Sequence, residues 1–204
     1  MDNRAFWDRF ARKYDTFMRY FSPEYPALIQ RISRDVGGAQ RILEVATGTG
    51  LIALELGGAG WQIDAIDISP VMIAQAQEKG RARGLDSIRF VVGSAYGLPW
   101  PDESYDVVVC ANALHVMEEP GRAVGEMKRV LKGGGRLIVP TYCHGEGLRA
   151  RMVSYFMHLS GFKAYTRFTA RGLQAFLEGC GFSIVTADKS RGVIPLCYAV
   201  ALRV

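Results

Sequence analysis

One stretch near the start of the chain combines a strand pattern, a turn of small residues and a helix pattern within residues 41–58. Residues 42–45, ILEV, form the short apolar run that is typical of a buried parallel strand. Residues 46–50, ATGTG, let the backbone turn sharply and come close to a ligand. Residues 51–56, LIALEL, predict a helix that two glycines end. This order places a ligand pocket at the carboxyl edge of a parallel sheet.

Two kinds of ligand fit such a turn. Gly48, Gly50 and Ala53 satisfy the dinucleotide pattern G-x-G-x-x-A, in which the amino end of the helix receives a pyrophosphate. The turn also suits S-adenosylmethionine, which has no phosphate but carries an ammonium, a carboxylate and a ribose diol. The first alternative predicts a nicotinamide-dependent oxidoreductase. The second predicts a methyl-transferring enzyme, and the turn alone does not separate the two.

Four ordered stretches point to one family. They are LEVATGTG at 43–50, IDAIDIS at 63–69, the segment 94–117 and RVLKGGGRLIV at 129–139. Together they resemble the class I S-adenosylmethionine-dependent methyltransferases, in particular the branch that contains the ubiquinone and menaquinone biosynthesis methyltransferases. The family often has glycine where this chain has Ala46, a mild departure because alanine is nearly as small. The resemblance implies S-adenosylmethionine as the cofactor and methyl transfer as the activity.

The resemblance also implies the fold. We expect an α/β architecture with a seven-stranded, Rossmann-like, doubly wound sheet in the order 3-2-1-4-5-7-6. This sheet is mostly parallel, its last strand is antiparallel, and helices lie on both faces. At 204 residues the chain is most simply one domain, 1–204. Within it we expect amino-terminal lid helices in 1–36 and an acceptor-side insert in 142–171.

Asp67 ends the second predicted strand, seventeen residues after Gly50. In doubly wound folds a carboxylate near this offset accepts hydrogen bonds from both ribose hydroxyls. The alternative is that Asp67 caps the next helix, but Ser69 and Pro70 already supply a cap and a first helical residue. Ser94 stands where the family usually has an aspartate that binds the adenine amino group, so that contact is weaker here. The donor-binding residues implied by the resemblance are Glu44, Ala46, Thr47, Gly48, Gly50, Asp67, Ile68, Met72, Ser94, Ala95, Ala111 and Asn112.

Two side chains are candidates for a direct part in catalysis. His115 follows the fourth predicted strand and is a natural general base if the acceptor is a hydroxyl. In the family, however, a histidine at this position is often only a pocket wall. Tyr14 lies close to the cofactor if the first helix covers the pocket. Cys143 and His144 are adjacent, but no second ligand pair accompanies them, so we expect no metal.

The first helix admits two interpretations. Residues 4–21 carry an aromatic stripe at helical spacing, with the basic residues largely off that stripe. The helix either dips its aromatic side chains into a membrane or packs as a lid over the cofactor pocket. Asp2, Asp8 and Asp15 dilute the basic side, which favours the lid. A further hypothesis, a non-enzymatic protein that binds a membrane or a partner, depends on the membrane interpretation.

The insert holds the one local clue to the acceptor. An apolar stripe predicts a helix whose inward side belongs to the core, with Leu148, Met152, Tyr155, Phe156 and Leu159. Five cations accompany a single acid, Glu146, and they are Arg149, Arg151, Lys163, Arg167 and Arg171. This excess fits an acceptor that bears a carboxylate or a phosphate, and it fits a solvated basic face about equally well.

Composition and charge limit the partners and the location. The net charge of +5 is compatible with an anionic substrate or a membrane surface, but it is not a nucleic-acid signature. We therefore expect a small-molecule or lipid acceptor, no nucleic acid, and a monomer or homodimer. The sequence has no pattern of a secretory signal and no apolar run of about 20 residues. The four cysteines are accordingly expected to be reduced in a cytoplasmic protein.

Overall fold

The computed structural model describes residues 3–22, 24–148, 150–152, 155, 163–191 and 194–204. Its centre is a seven-stranded sheet in the order β3-β2-β1-β4-β5-β7-β6. The strands are β1 Arg41–Val45, β2 Gln62–Asp67, β3 Ile88–Val92, β4 Tyr105–Val109, β5 Leu131–Tyr142, β6 Phe182–Lys189 and β7 Leu196–Arg203. Strands β1 to β5 are parallel, and β7 runs antiparallel to both β5 and β6. The predicted strand order and the antiparallel last strand are confirmed.

Helices cover both faces of the sheet. In the described residues they are α1 Asn3–Phe21, α2 Tyr25–Val36, α3 Leu51–Gly58, α4 Pro70–Ala82, α5 Pro120–Val130 and α6 Ala170–Gly179, with a 3-10 turn at Leu114–Val116. Residues 147, 148, 150–152 and 155 are also helical. Within these described parts, every helix is too short or too polar to cross a bilayer.

Two apolar layers hold the sheet between the helices. Leu43 and Val45 face the layer that contains side chains of α5 and α6, whereas Ile42 faces the layer that contains those of α2 and α3. Successive side chains of a strand point to opposite faces, so a strand buried on both sides reads as a continuous apolar run. All three residues are fully buried. Their packing fixes the carboxyl end of β1, where the turn of small residues begins.

Two of the four cysteines form a disulfide. Cys143 follows β5, and Cys197 lies in β7, 54 residues later. The antiparallel pairing of β5 with β7 places Tyr142 opposite Leu196, so the Cα atoms of the two cysteines are 6.0 Å apart. The expectation that all four cysteines are reduced is wrong for this pair, because a strand pairing that the cysteine spacing does not reveal brings them together. The other two cysteines are free thiols.

The apolar stripe of the insert is not part of the core where the structure describes it. Leu148, Met152 and Tyr155 are 73%, 53% and 57% exposed. The expectation that the stripe belongs to the core is therefore wrong for these three residues. Helical periodicity identifies an apolar face but does not say what covers it. The expectations for Arg149, Phe156 and Leu159 lie outside the described residues.

Candidate functional site

A cavity lies at the carboxyl edge of the sheet, beyond β1, β2, β3 and β4, and α1 covers it on one side. Most residues singled out from the sequence line it, namely Tyr14, Ala46, Gly48, Asp67, Ile68, Met72, Ser94, Ala95, Ala111 and Asn112. They come from separate turns and meet because the parallel strands all end at the same edge. Glu44, Thr47, Gly50 and His115, which are also described, do not line the cavity.

The turn after β1 has a backbone that glycine favours. Ala46, Gly48 and Gly50 have φ angles of 58°, 57° and 79°, all in the left-handed region. This backbone conformation costs an alanine about 1 kcal/mol. The backbone, rather than the size of the side chain, therefore explains why the family often has glycine at the position of Ala46. A Cβ at Gly50 would lie 3.0 Å from the Cβ of Ala76, so glycine also allows α3 to pack closely on α4.

Asp67 ties this turn to the end of β2. Its Oδ2 accepts the backbone N–H of Gly48 at 2.8 Å, and its Oδ1 accepts that of Ser69 at 2.9 Å. Burial raises the pKa of the carboxyl group, although the backbone hydrogen bonds oppose the rise. The N-cap of α4 is Ser69, whose side chain accepts the N–H of Met72 at 3.1 Å, as the sequence predicts. The Asp67 carboxylate therefore lines the cavity with both oxygens held in place.

Glu44 lies beneath the turn rather than in the cavity wall. Its Oε2 accepts the Thr47 hydroxyl at 2.6 Å and the backbone N–H of Ala53 at 3.0 Å. Burial raises the pKa of this carboxyl group to about 8, against the two hydrogen bonds that lower it. Glu44 and Thr47 thus hold the shape of the turn. Gly50 is the N-cap of α3 and belongs to the same support.

His115 is buried and lies outside the cavity wall, with 3% of its surface exposed. Its Nδ1 is 2.9 Å from the Oγ1 of Thr141, and its ring centroid is 5.0 Å from that of His144. Burial lowers the pKa of His115 to about 3, and His144 adds to the effect, so the ring is neutral near pH 7. Its backbone oxygen accepts the N–H of Thr166 at 3.2 Å, which ties the 3-10 turn to the far end of the insert. A catalytic role for His115 stays a prediction.

Helix α1 contributes aromatic side chains to the cavity. Trp7 and Tyr14 line it, and their ring centroids are 6.3 Å apart. The ring of Tyr14 faces Gly48, since a Cβ at that glycine would lie 3.7 Å from it. Burial, and after it the charge of Asp67, raises the pKa of Tyr14 well above its usual value. The phenol therefore keeps its proton throughout the neutral pH range.

Two carboxylates of α1 attach the helix to the elements beneath it. Asp8 accepts the hydroxyl of Ser69, the cap of α4, at 2.5 Å. Asp15 accepts the hydroxyl of Thr49 at 2.5 Å and the ammonium of Lys79 at 2.7 Å. The helix is thus attached at the small-residue turn, at the start of α4 and in the last turn of α4.

Sequence reasoning did not assign several lining residues to the cavity. They are Trp7, Ile66, Gly93, Tyr96, Ala113, Val116, Met117 and Glu118. Trp7 is two helical turns from Tyr14, so the aromatic spacing is a usable signal for it. No such signal exists for Tyr96, whose phenol oxygen accepts the backbone N–H groups of Glu118 and Glu119 at 3.0 Å and 3.3 Å. These bonds join two loops that are distant in the sequence.

Asn112 differs from the other lining residues in its unpaired amide. Its φ angle is 53°, and its backbone N–H donates to the oxygen of Pro140 at 2.7 Å. Its side-chain nitrogen and oxygen are both buried and have no hydrogen-bond partner among the described residues. Such groups cost about 1–3 kcal/mol when they stay unpaired. Asn112 can therefore offer both a donor and an acceptor to a ligand.

The charged side chains that line the cavity are acidic. They are Asp67 and Glu118, and no lysine or arginine of the described residues lines it. A buried carboxylate attracts positive charge more strongly than one in bulk water, because the local dielectric constant is lower. The N–H of Gly48, which a phosphate would need, already donates to Asp67. This arrangement favours a positively charged ligand over a pyrophosphate.

Comparisons with known proteins agree with this geometry. Residues 43–139 match the family described as a methyltransferase domain. The demethylmenaquinone methyltransferase of Renibacterium salmoninarum is 36% identical over 143 residues, which are 69% of this chain and 58% of that protein. The chain spans about half the length of the curated relatives it matches.

Solved structures share the whole fold. A crystal structure of an S-adenosylmethionine-dependent methyltransferase from Thermotoga maritima, a possible histamine N-methyltransferase, has a TM-score of 0.79 at 21% identity and covers 97% of this chain and 98% of that one. Magnesium protoporphyrin IX methyltransferase from Synechocystis, solved with bound SAH, has a TM-score of 0.78 at 17% identity over 100% of both chains. The matched domain and the relatives make this chain similar to the class I S-adenosylmethionine-dependent methyltransferases, above all to the ubiquinone and menaquinone biosynthesis enzymes, and the solved structures show the same fold.

Proposed function

We infer that this chain transfers a methyl group from S-adenosylmethionine to a small apolar or aromatic acceptor. The observation that carries the proposal is the acidic cavity beside the small-residue turn, lined by Asp67 and Glu118. When bound, S-adenosylmethionine supplies a methyl group on a positively charged sulfur. The acidic lining suits that charge, and the unpaired amide of Asn112 suits a ligand that carries both an ammonium and a carboxylate.

In this proposal the two ends of the donor have different partners. Asp67 holds the ribose hydroxyls, and Ala111 and Asn112 hold the methionine end. Ser94 is a weak partner for the adenine amino group, because its hydroxyl oxygen already accepts the N–H of Tyr96 at 3.1 Å. The other lining residues proposed to contact the donor are Ala46, Gly48, Ile68, Met72 and Ala95.

Aromatic side chains support an apolar or aromatic acceptor. The ring contacts of Trp7 and Tyr14 continue along α1, with centroid distances of 6.2 Å from Tyr14 to Phe10 and 5.4 Å from Phe10 to Phe17. The four described cations of the insert, Arg151, Lys163, Arg167 and Arg171, are exposed and do not line the cavity. Their positions support a solvated basic face rather than an anionic acceptor. The relative from Renibacterium salmoninarum is named for demethylmenaquinone, so quinol-type phenols come first among the acceptors to test.

In this proposal the protein accelerates methyl transfer by aligning the acceptor with the methyl group, and it does not need a strong base. An activated methyl group needs chiefly an aligned nucleophile and the exclusion of water. With a pKa of about 3, the neutral ring of His115 is a weak base. We assign the exclusion of water to a lid formed by α1 and α2, residues 1–36, and the far wall of the acceptor site to the insert, residues 142–171.

Calorimetric titration of the full chain tests the donor. We expect S-adenosylmethionine to bind with micromolar affinity, and the variant Asp67→Ala to weaken binding about tenfold or more, because hydrogen bonds to a charged group are lost. The matched control Asp86→Ala removes an exposed carboxylate and leaves the affinity unchanged. Absence of binding would count against the proposal. A thermal shift with NAD(H) or NADP(H) in its place would support the oxidoreductase alternative.

A labelled methyl donor tests the acceptor. The panel contains phenols and quinol precursors, amino-headgroup lipids and small carboxylic acids. We expect label in the phenols or quinols, and about tenfold less of it, or lower still, at subsaturating donor when Asp67→Ala replaces the native chain. Label in the carboxylic acids alone would refute the apolar acceptor and would leave the donor assignment intact.

A further inference from the structure

The solvent side of α1 is a cationic face formed by Arg9, Arg12, Lys13 and Arg19. At about 100° of rotation per helical residue, these four fall within a sector roughly 120° wide. All four are exposed in the structure. The aromatic stripe occupies a different sector, from which Trp7 reaches the cavity.

The acids of α1 do not dilute this face. Asp8 and Asp15 lie on the side of the helix that meets α4 and the turn before α3, where they accept the hydroxyls of Ser69 and Thr49. Asp15 also accepts the ammonium of Lys79. Asp8 also lies 3.8 Å from the guanidinium of Arg4, so it offsets that cation but none of the four in the cationic face. The expectation for Asp2 lies outside the described residues.

An exposed aromatic side chain lies within the cationic face. Tyr20 falls in the same sector of α1 and is 74% exposed. The cationic face therefore also presents an aromatic ring to solvent.

We propose that the cationic face of α1 docks on an anionic lipid surface. Basic side chains suit anionic headgroups, and an exposed tyrosine suits the boundary between headgroups and acyl chains. Phosphate contacts of a nucleic acid would need the cations but not the exposed Tyr20, so the observations favour the lipid surface. Contact runs through a side of α1 that differs from its aromatic stripe, and Trp7 and Tyr14 stay in the cavity wall. This docking does not depend on methyl transfer.

Vesicle co-sedimentation of the full chain tests the proposal. The probes are phosphatidylcholine vesicles with and without about one third phosphatidylglycerol, at low and at high salt. We expect binding to the anionic vesicles at low salt, and its loss at high salt, where charges are screened. Each cation near an anionic surface raises partitioning about fivefold, so the variant Arg12→Gln/Lys13→Gln/Arg19→Gln should bind about 100-fold more weakly.

A matched control removes the same charge elsewhere. The variant Arg34→Gln/Arg122→Gln/Lys132→Gln alters exposed cations of α2, α5 and β5, and none of them belongs to α1 or to α4, which packs on α1. It should bind anionic vesicles nearly as well as the native chain. Equal loss in both variants, or no sedimentation of the native chain, would overturn the proposal. Binding to duplex RNA without binding to vesicles would overturn it in favour of a nucleic-acid surface.

Discussion

The side chain of Glu44 accepts the backbone N–H of Ala53 at 3.0 Å, across nine residues of chain. The same carboxyl oxygen accepts the hydroxyl of Thr47. One buried acid therefore shapes both the turn after β1 and the start of α3 without lining the cavity. Its burial has a measurable consequence, because it raises the pKa of this carboxyl group from 4.5 to about 8.

The first prediction concerns stability and pH. Between the two pKa values the folded chain keeps the proton of Glu44 and the unfolded chain releases it, so the free energy of unfolding falls as pH rises. The slope from this one group reaches at most about 1.4 kcal/mol per pH unit. Urea unfolding from pH 6.8 to 8.0, above the usual pKa of histidine, should show this fall. The variant Glu44→Gln should flatten it, and an unchanged slope in the variant would contradict the assignment.

A second prediction follows from the left-handed backbone of Ala46, whose φ is 58°. Glycine adopts this conformation without the steric cost of a Cβ, so Ala46→Gly should raise the free energy of unfolding by about 1 kcal/mol. As a control, Ala74→Gly in the exposed middle of α4 should lower it by about the same amount, since glycine is a poor helix former. A loss of stability at both positions would show that the conformation of Ala46 does not matter.

The third prediction tests the attachment of α1. The variant Asp15→Ala removes the carboxylate that accepts the Thr49 hydroxyl at 2.5 Å and that pairs with the Lys79 ammonium at 2.7 Å. The pair is partly exposed, so we expect a modest effect. Dissociation of S-adenosylmethionine should be about two- to fivefold faster by stopped flow, because the lid opens more easily. An unchanged dissociation rate, equal to that of the control Asp86→Ala, would speak against α1 as a lid.

The fourth prediction concerns the disulfide between Cys143 and Cys197, which closes a loop of 54 residues. Reduction with dithiothreitol should lower the free energy of unfolding by about 4 kcal/mol. The variant Cys143→Ser/Cys197→Ser should be insensitive to the reductant, and Cys180→Ser should stay sensitive. Four reactive thiols in the unreduced, denatured protein would contradict the disulfide.

The same disulfide bears on the expected cytoplasmic location. Stable disulfides are rare in reducing compartments. Alkylation of thiols in intact cells, followed by mass spectrometry of the peptides that contain Cys143 and Cys197, measures the oxidised fraction directly. A mainly reduced pair agrees with the expected cytoplasm, and a mainly oxidised pair disagrees with it.

Patterns of neighbouring residues were enough to predict the parts of the site that depend on short-range interactions. The turn at residues 46–50, the cap at Ser69 and the acid at the end of β2 all follow from backbone conformation, short-range hydrogen bonds and apolar spacing. These interactions act over a few residues, so the local pattern contains them. The strand order was also predictable, but from the resemblance of four ordered stretches and not from any single pattern.

Contacts between distant elements became visible only in the folded chain. The fold has three consequences that no local pattern predicts. It placed Glu44 under the turn instead of in the cavity, joined Cys143 to Cys197, and left Leu148 exposed. It also turned Asp15 inward and Arg12 outward on the same helix. A periodic pattern shows that a helix has an apolar or a charged face. Which element covers that face depends on many weak packing contacts across the chain, and no local segment records them.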